Sequence, residues 1–213
     1  MLQIKHLRSD KYTSQGYSLL EILVVITIVS ILSAYGVPRF RRNVAQGQVD
    51  RYTQFIESGL FNLRARLGQS KSSCSFSLDQ DLTKKTFGPP WLLLEFQQPD
   101  GSQSNTQRLK CCWNQDGEIV NCTPELLKGK SRYRFLTIEG TRESKEVEVS
   151  ASQASYELSP PGTSAQHDNL TILVRSRHSS QEPLLRTRCV ELSGNGHIRS
   201  GTWNGGTDFC DSS

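Results

Sequence analysis

An uncharged apolar run near the amino terminus limits what this chain can fold into more than any other feature. Residues 22 to 37, ILVVITIVSILSAYGV, carry no charge, and residues 17 to 20 with Pro38 extend the segment to about 22 residues. A helix of that length, at ~1.5 Å per residue, crosses the hydrocarbon of a bilayer. No second run of membrane length follows, so the sequence predicts one anchored domain.

The residues before the apolar run predict its orientation. Lys5, Arg8 and Lys11 outnumber Asp10 there, and a basic flank stays on the cytoplasmic side. A secretory signal peptide would have a shorter apolar stretch and an AxA-like cleavage site after it, and residues 33 to 39 show no such site. We therefore expect a single-pass segment whose carboxyl side leads into a head outside the cytoplasm.

One acid, Glu21, stands at the start of this apolar segment. A carboxylate within the hydrocarbon costs on the order of 2 to 3 kcal/mol unless a partner is supplied. A plain membrane anchor gives no reason for this residue, and an intramembrane acid is functional by default. The alternative is an acid near the membrane face that reaches the lipid headgroups.

The stretch Gly16-Tyr17-Ser18-Leu19-Leu20-Glu21 before an apolar helix resembles the class III leader of type IV pilins and type II secretion pseudopilins. This resemblance implies cleavage between Gly16 and Tyr17 by a prepilin peptidase and N-methylation of Tyr17, where the family more often has Phe or Met. It also implies that Glu21 pairs with the terminal amine of a neighbouring subunit. Such a pair offsets part of the desolvation cost of each ion.

The resemblance also implies an organisation and an α+β fold. The expected parts are a prepilin leader at residues 1–16, a transmembrane and assembly helix at 17–38, an amphipathic continuation at 39–67 and a β-rich head at 68–213. The type IV pilin fold packs the long helix on an antiparallel sheet, with a helix kink expected at Gly36 and Pro38. Expected partners are the prepilin peptidase, other pilin or pseudopilin subunits and an inner-membrane assembly platform. The protein would reside in the bacterial inner membrane and then in the pilus or pseudopilus.

The pattern after Pro38 independently predicts a helix. Apolar residues recur at steps of three and four, with charged residues between them, which is typical of a helix that lays one face on a globular core. The apolar positions are Phe40, Val44, Tyr52, Phe55, Ile56, Leu60, Leu63 and Leu67. Gly68 and the Ser-rich stretch 68–75 predict the end of this helix.

Short runs rich in β-formers follow, separated by Pro, Gly, Asn and Ser clusters. The predicted strands lie at residues 91–96, 131–140, 146–150, 154–159, 169–176 and 186–192. In the fifth of these, Leu170, Ile172 and Val174 alternate with Thr171, Leu173 and Arg175, which favours a half-buried strand. Residues 97 to 130 offer no pattern that we can assign.

The carboxyl-terminal half carries a second resemblance. Ser159-Pro160-Pro161-Gly162, then NLTILVRS, then RTRCVELSGNGHIRSG, together within residues 154–201, look like the minor pilin family that includes the type II secretion H pseudopilin and FimT-like pilins. That family implies a last hairpin that turns at a Gly before a basic strand. Its members with a basic tail motif carry two arginines near this turn, whereas this chain has His197 and Arg199.

Six cysteines follow the apolar segment, at positions 74, 111, 112, 122, 189 and 210. Their number and placement favour disulfides in an oxidising compartment. Sequence alone does not fix the pairing. The short-loop candidates join Cys189 to Cys210, and Cys111 or Cys112 to Cys122, with Cys74 in the remaining set. A zinc site is disfavoured because no CxxC pair or nearby His has ligand spacing, so we predict no metal and no cofactor.

Three function classes remain after the motif search. The chain has no GxSxG, no HExxH and no Gly-rich phosphate loop, which predicts that it is not an enzyme and has no catalytic residues.

A structural pilin-like subunit is favoured. DNA capture for natural transformation is an alternative, in which a phosphate-facing strip is formed by Arg175, Arg177, His178, Arg186, Arg188 and Arg199. A solvated strand face balanced by acids such as Glu182 and Glu191 is the favoured interpretation of these arginines, because charge runs usually serve solubility. A stand-alone anchored receptor or adhesin is the third class.

Overall fold

The structure is a computed structural model of the whole chain, and it divides into two compact units, Met1–Arg41 and Arg42–Ser213. It describes residues 16–77, 82–83, 85–92, 111–123, 136, 141–166 and 168–212. The predicted leader at residues 1–16, apart from Gly16, lies outside the described residues. The same holds for the predicted strand at 131–140 apart from Leu136, and for most of the unassigned block 97–130.

Helix α1, Leu19–Ser70, contains both helical segments that the sequence predicts. The helix continues without interruption through Gly36 and Pro38. Pro38 lacks an amide hydrogen, so one backbone hydrogen bond of the helix is missing at that point. The kink at these two residues stays a prediction.

The predicted end of α1 at Gly68 was too early by one turn. The helix continues to Ser70, and Lys71 then adopts a left-handed conformation with φ of 53°. The Lys71 amide donates to the Leu67 carbonyl at 3.1 Å, which is the bond of a left-handed carboxyl-terminal cap. The glycine is therefore tolerated within the last turn, because tertiary packing sustains the helix beyond it.

The second unit is built on a five-stranded antiparallel sheet. We number its elements together with those of two small antiparallel strand pairs. They are β1 (Cys74–Ser77), β2 (Cys112–Trp113), β3 (Ile119–Val120), α2 (Arg142–Glu146), β4 (Val147–Ala151), β5 (Ser155–Leu158), β6 (Leu170–Ser176), β7 (Arg188–Leu192), β8 (Ile198–Asn204) and β9 (Phe209–Ser212). The main sheet has the order β4-β6-β7-β8-β9, while β1 pairs with β5 and β2 pairs with β3. The α+β class predicted from the sequence is confirmed, and the architecture is consistent with the type IV pilin fold.

Four of the predicted strands coincide with β4, β5, β6 and β7 within two residues. The prediction of a strand beginning at Trp91 was wrong, because residues Pro90–Leu92 form a 3₁₀ turn. A preceding pair of prolines, Pro89 and Pro90, favours a turn over a strand there because proline fixes φ and removes the amide donor. The later part of that run, 93–96, lies outside the described residues.

The hydrophobic core lies between α1 and the main sheet. Six residues on one face of α1 are at most 2% exposed, and they pack against the alternate residues of β4, β6 and β7. These helix residues are Val49, Tyr52, Ile56, Leu60, Leu63 and Leu67. Fully burying an apolar side chain of this size contributes about 1.5 to 3 kcal/mol, so this face supplies much of the stability of the second unit.

Tyr156 on β5 extends this core. Its side chain is fully buried, and its hydroxyl donates to the Leu192 carbonyl at 3.3 Å. Burial raises the pKa of this hydroxyl, while a hydrogen bond with Ser164 lowers it by less. A buried hydroxyl with a partner inside the core fixes how β5 lies on the end of β7.

A second, smaller cluster lies on the other face of the sheet. It contains Leu173, the disulfide between Cys189 and Cys210, and the partly buried rings of Phe87 and Trp203. Leu173 was predicted on the outer face, and its burial under this cluster explains why that face is not uniformly polar.

The Cys189–Cys210 disulfide connects β7 to β9 past the strand between them. Their Cα atoms are 5.9 Å apart, whereas strands two positions apart in a flat sheet are separated by roughly 9 to 10 Å. The sheet therefore curls at its β8–β9 edge. Gly201 pairs with Cys189 in the register, and the lack of a side chain at that position leaves room for the crossing.

All six cysteines form disulfides. Besides Cys189–Cys210, the structure pairs Cys112 with Cys122 and Cys74 with Cys111, so two of the bonds join cysteines that sequence spacing suggested. Closing loops of these lengths reduces the entropy of the unfolded chain by an amount worth about 3 to 4 kcal/mol each. Cys74–Cys111 ties β1 to the segment that contains β2.

Two turns meet α1 at Arg64. Gly162 closes the turn after Ser159 with φ of 94°, and Gly196 closes the β7–β8 turn with φ of 78°. A Cβ atom on Gly162 would lie 2.3 Å from Cγ of Arg64, and one on Gly196 would lie 2.5 Å from the Gly162 carbonyl oxygen. Neither turn has room for a side chain at its glycine.

We predict that Gly162→Ala lowers the free energy of unfolding by about 1 to 3 kcal/mol, because the new methyl group meets α1 and the backbone is left-handed. Gly47→Ala is the matched control, since its Cβ meets nothing within 4 Å. It should stabilise the protein by about 0.5 to 1 kcal/mol through helix propensity. Urea unfolding of the detergent-solubilised protein measures both, and equal effects of the two variants would contradict the packing described here.

Candidate functional site

The amino-terminal part of α1 exposes apolar side chains all around the helix. Large apolar residues from Leu19 to Phe40 are 47% exposed or more. Helix α1 is both long enough and apolar enough to cross a membrane. Its most apolar window has a mean hydropathy of 2.2 and contains no buried residue. A helix that is apolar on every side is unfavourable in water, because it has no polar face for water to solvate.

Polar side chains within this part of the helix bond to the helix itself. The Thr27 hydroxyl donates to the Leu23 carbonyl, and the Ser30 hydroxyl donates to the Ile26 carbonyl at 2.7 Å. Both residues thereby satisfy their donors four residues back along the chain. Glu21 has no such possibility, because an ionised carboxylate is only an acceptor.

Glu21 is the third residue of α1, and Ser18 is the residue that caps the helix. The Glu21 amide donates to the Ser18 hydroxyl oxygen at 3.2 Å and to the Ser18 carbonyl at 3.0 Å. Ser-x-x-Glu at the start of a helix is the pattern of the capping box, in which the serine and the glutamate satisfy unpaired amides of the first turn. A negative side chain here also interacts favourably with the positive end of the helix dipole.

The role of Ser18 is absent from the sequence-based prediction, although a signal for it is present. The motif Ser18-Leu19-Leu20-Glu21 followed by an apolar run is a capping-box pattern. Both the leader motif and the capping box contain Glu21. The sequence-based prediction explained this residue by the leader motif alone. The structure adds a role for Ser18, which caps the helix by accepting a hydrogen bond from the Glu21 amide.

The predicted cleavage junction lies just before this cap. Gly16 and Tyr17 are outside the helix, and both are exposed, with Tyr17 at 78%. Exposed segments without regular secondary structure are preferred sites of proteolytic cleavage. Between residues 16 and 41 of the described chain, no ion pair to Glu21 is present.

One family comparison decides what this amino-terminal arrangement is. The model of the prokaryotic N-terminal methylation motif matches residues 12–36. The chain carries a type IV prepilin-like leader. The match includes the junction at Gly16, the acid Glu21 and most of the exposed apolar helix, and it supports a type IV pilin-like protein. Such a motif belongs to structural proteins rather than to enzymes, and it implies processing by prepilin peptidase and assembly with other pilins.

The match ends at residue 36, so it carries no information on the second unit. No curated protein and no solved structure matches the chain significantly. The type of head must therefore be judged from its own residues.

The arginines proposed as DNA contacts each have partners within the second unit. Arg175 donates two bonds to Glu148 at 3.0 and 2.9 Å and stacks on Phe87, with 3.9 Å to the ring centre. Arg199 donates to Glu191 at 2.9 Å and lies 4.7 Å from the Phe209 ring centre. Their charges are therefore largely balanced by neighbouring carboxylates.

The remaining three arginines of this set contact backbone or α1. Arg177 donates to the Lys145 carbonyl at 2.8 Å, and Arg188 donates to Asp50 on α1 at 2.6 Å. The backbone amide of Arg186 donates to the Gln46 side chain at 2.8 Å. His178 lies 3.3 Å from Glu146.

The structure does not bring the five arginines onto one surface. Arg188 pairs in register with Val174 on the face that packs on α1, whereas Arg175 and Arg199 lie on the opposite face. Adjacent residues of a strand point to opposite faces, so a cluster in sequence is divided by the sheet. The prediction of a single phosphate-facing strip finds no support in this geometry.

Titratable clusters suited to a metal are absent from the part of the chain that the structure describes. No group of three His, Cys, Asp or Glu side chains is close enough there to hold an ion, and the six cysteines are oxidised to disulfides. A thiolate is needed to bind zinc through sulfur, so these cysteines are not ligands in this state.

We predict that Ser18→Ala weakens the first turn of α1 by about 1 kcal/mol, because the Glu21 amide loses its side-chain acceptor. Ser18→Thr keeps a hydroxyl acceptor and should behave like the wild type. Amide hydrogen exchange of the full-length protein in micelles, followed at residues 19 to 22, reports this change. Unchanged exchange in the alanine variant would show that the cap contributes nothing.

Proposed function

We propose that this protein is a minor pilin or pseudopilin, a structural subunit that primes or caps a type IV pilus or a type II secretion pseudopilus. A prepilin peptidase cleaves it between Gly16 and Tyr17, and the new terminal amine of Tyr17 is methylated. Its partners are the other pilin or pseudopilin subunits and the inner-membrane assembly platform. The protein is held in the bacterial inner membrane, with its head outside the cytoplasm, until it enters the filament.

The observation that carries this proposal is Glu21 in an exposed apolar helix that matches the methylation motif. The capping box accounts for the amide of this residue but leaves its negative charge in an apolar surrounding. A neighbouring subunit that brings a positive amine to this carboxylate offsets part of the desolvation cost of both ions. Pairing of this kind specifies the axial register between subunits, since only one offset places amine and acid together.

The head suits a scaffold. Three of its arginines, Arg175, Arg188 and Arg199, are paired with acids, its core is closed by α1, and three disulfides cross-link it. Disulfides also agree with a location outside the cytoplasm. The placement among the type II secretion H and FimT-like minor pilins rests on the turn at Gly162, strand β6 and the last hairpin. It remains part of the proposal.

Processing separates this proposal from a stand-alone anchored receptor or adhesin. We predict that the protein from native membranes begins at Tyr17 and is about 14 Da heavier than the unmodified mature chain, because one methyl group is added. Intact mass and amino-terminal sequencing measure both properties. A chain that retains Met1 would overturn the pilin pathway and favour the anchored receptor.

The role of the charge on Glu21 has its own test. We predict that Glu21→Ala and Glu21→Gln keep membrane insertion, which becomes more favourable without the acid. Both variants should lose most of their incorporation into filaments, because the neighbouring amine has no negative partner. Incorporation is measured by sheared-filament fractions against the membrane pool.

Thr27→Ala is the matched control for this experiment. Thr27 is a polar residue of the same apolar helix, but its hydroxyl bonds within the helix, so its loss should leave incorporation unchanged. If the two Glu21 variants enter filaments as well as Thr27→Ala does, the charge pair does not direct assembly.

A further inference from the structure

The loop between β6 and β7, residues 177–187, is fastened to the first turns of α1 in the second unit. Arg42 donates to Glu182 at 3.2 and 3.3 Å. Gln46 accepts from the Arg186 amide at 2.8 Å and donates to its carbonyl at 3.4 Å. Asp50 then binds Arg188, as described above. Three helix residues spaced by four share one face of α1, so the loop follows that face.

Internal hydrogen bonds shape this loop. The Glu182 amide donates to the His178 carbonyl, and the Leu185 amide donates to the Glu182 carbonyl, both at 3.0 Å. The second bond closes a turn with Pro183 at its second position, where the fixed φ of proline favours a turn. The loop therefore holds the turn Glu182-Pro183-Leu184-Leu185 in one place.

The turn presents an apolar side chain to solvent. Leu184 is 66% exposed, and Pro183 and Arg186 beside it are exposed as well. Leu184 is the only large aliphatic residue with such exposure among the described residues of the second unit. A rigid turn that holds a leucine outward beside an arginine has the composition of a membrane-interface anchor.

Chain length keeps this turn near the end of the apolar segment. Arg42, which holds Glu182, is five positions after Val37, and five residues span at most about 18 Å even when fully extended. The intervening residues include Arg39 and Arg41, both exposed. In a membrane-anchored chain this tether keeps the Cα atom of Arg42 within about 18 Å of Val37, and Glu182 is bound to the Arg42 side chain.

We propose that the β6–β7 turn at Leu184 rests in the interface of an anionic bilayer while the protein is membrane-anchored. Leu184 enters the boundary between headgroups and acyl chains, and Arg186 faces the anionic headgroups. The occupant is a lipid surface, because an apolar tip is combined here with positive charge close to the end of a membrane-length helix. This inference rests on the membrane-anchored state of the proposed function and adds a second contact with the membrane.

Fluorescence quenching by brominated lipid tests the contact. The full-length protein is reconstituted in vesicles of phosphatidylethanolamine and phosphatidylglycerol that contain bromine on the acyl chains. The L184W variant is compared with H197W, and the signal of the wild type, with its three native tryptophans, is subtracted. His197 is exposed on the β7–β8 turn, beside Arg64, and Arg64 is about 33 Å along α1 from Arg42.

We expect the added tryptophan of L184W to be quenched at least about twofold more than that of H197W, because an interfacial side chain lies about 5 to 10 Å into the boundary region. Equal quenching of the two variants would overturn the inference. A second outcome would also overturn it: an emission shift of L184W that grows with the protein-to-lipid ratio but is not accompanied by quenching from brominated lipid. That result would indicate contact with a second copy of the chain. Adding R186Q to L184W should weaken quenching, and an unchanged signal would rule out an anionic partner.

Flotation of the wild-type protein with the same vesicles separates the two levels of inference. Failure to float would remove the membrane-anchored state and, with it, the proposed turn contact. Flotation together with equal quenching of L184W and H197W would leave the anchor in place and reject the turn contact alone.

Discussion

The whole molecule depends on one helix that has to satisfy two different surroundings. Up to Val37, α1 is apolar on every side, and its backbone groups are paired within the helix, as a span in lipid requires. From Gln48 onward, the buried residues lie along one face of the helix, while Phe55 and Phe61 are exposed. Because the same helix contributes to both units, the sequence changes from an all-round apolar pattern to a stripe within about three turns.

The head is incomplete without this helix. The inner residues of β4, β6 and β7, among them Val149, Ile172 and Val190, are covered by the stripe on α1. A five-stranded sheet with one bare apolar face is prone to association in water. Polar contacts at the rim, such as Asp50 with Arg188 and Glu57 with Ser200, then fix the helix in one position on the sheet. Such half-exposed pairs add little energy and mainly define geometry.

Periodicity was sufficient to predict α1 and strands β4 to β7, since each buries side chains at a regular spacing. Strand β8 carries Arg199, Ser200, Gly201 and Thr202 and lacks such a pattern. It forms a strand because it pairs with β7 on one side and β9 on the other, and this cause lies outside its own sequence. The partners of the arginines were equally hidden, because Glu148 and Asp50 are distant in sequence from Arg175 and Arg188. The predicted junction at Gly16 and the acid Glu21 have a local signal in the sequence, as the motif match at residues 12–36 shows. The cap at Ser18 also has a local signal, but the prediction explained Glu21 by the leader pattern alone.

The crossing of β8 by the Cys189–Cys210 bond affects how the end of the chain behaves under tension. A terminal edge strand held only by hydrogen bonds separates from its sheet one residue at a time, beginning at the free end. Here Cys210 lies within β9 and is bound to Cys189 on β7, so such fraying stops at the disulfide. To remove β9, the curled edge must open as a block. Pulling on the second unit through its helix would then leave the outer edge of the sheet intact.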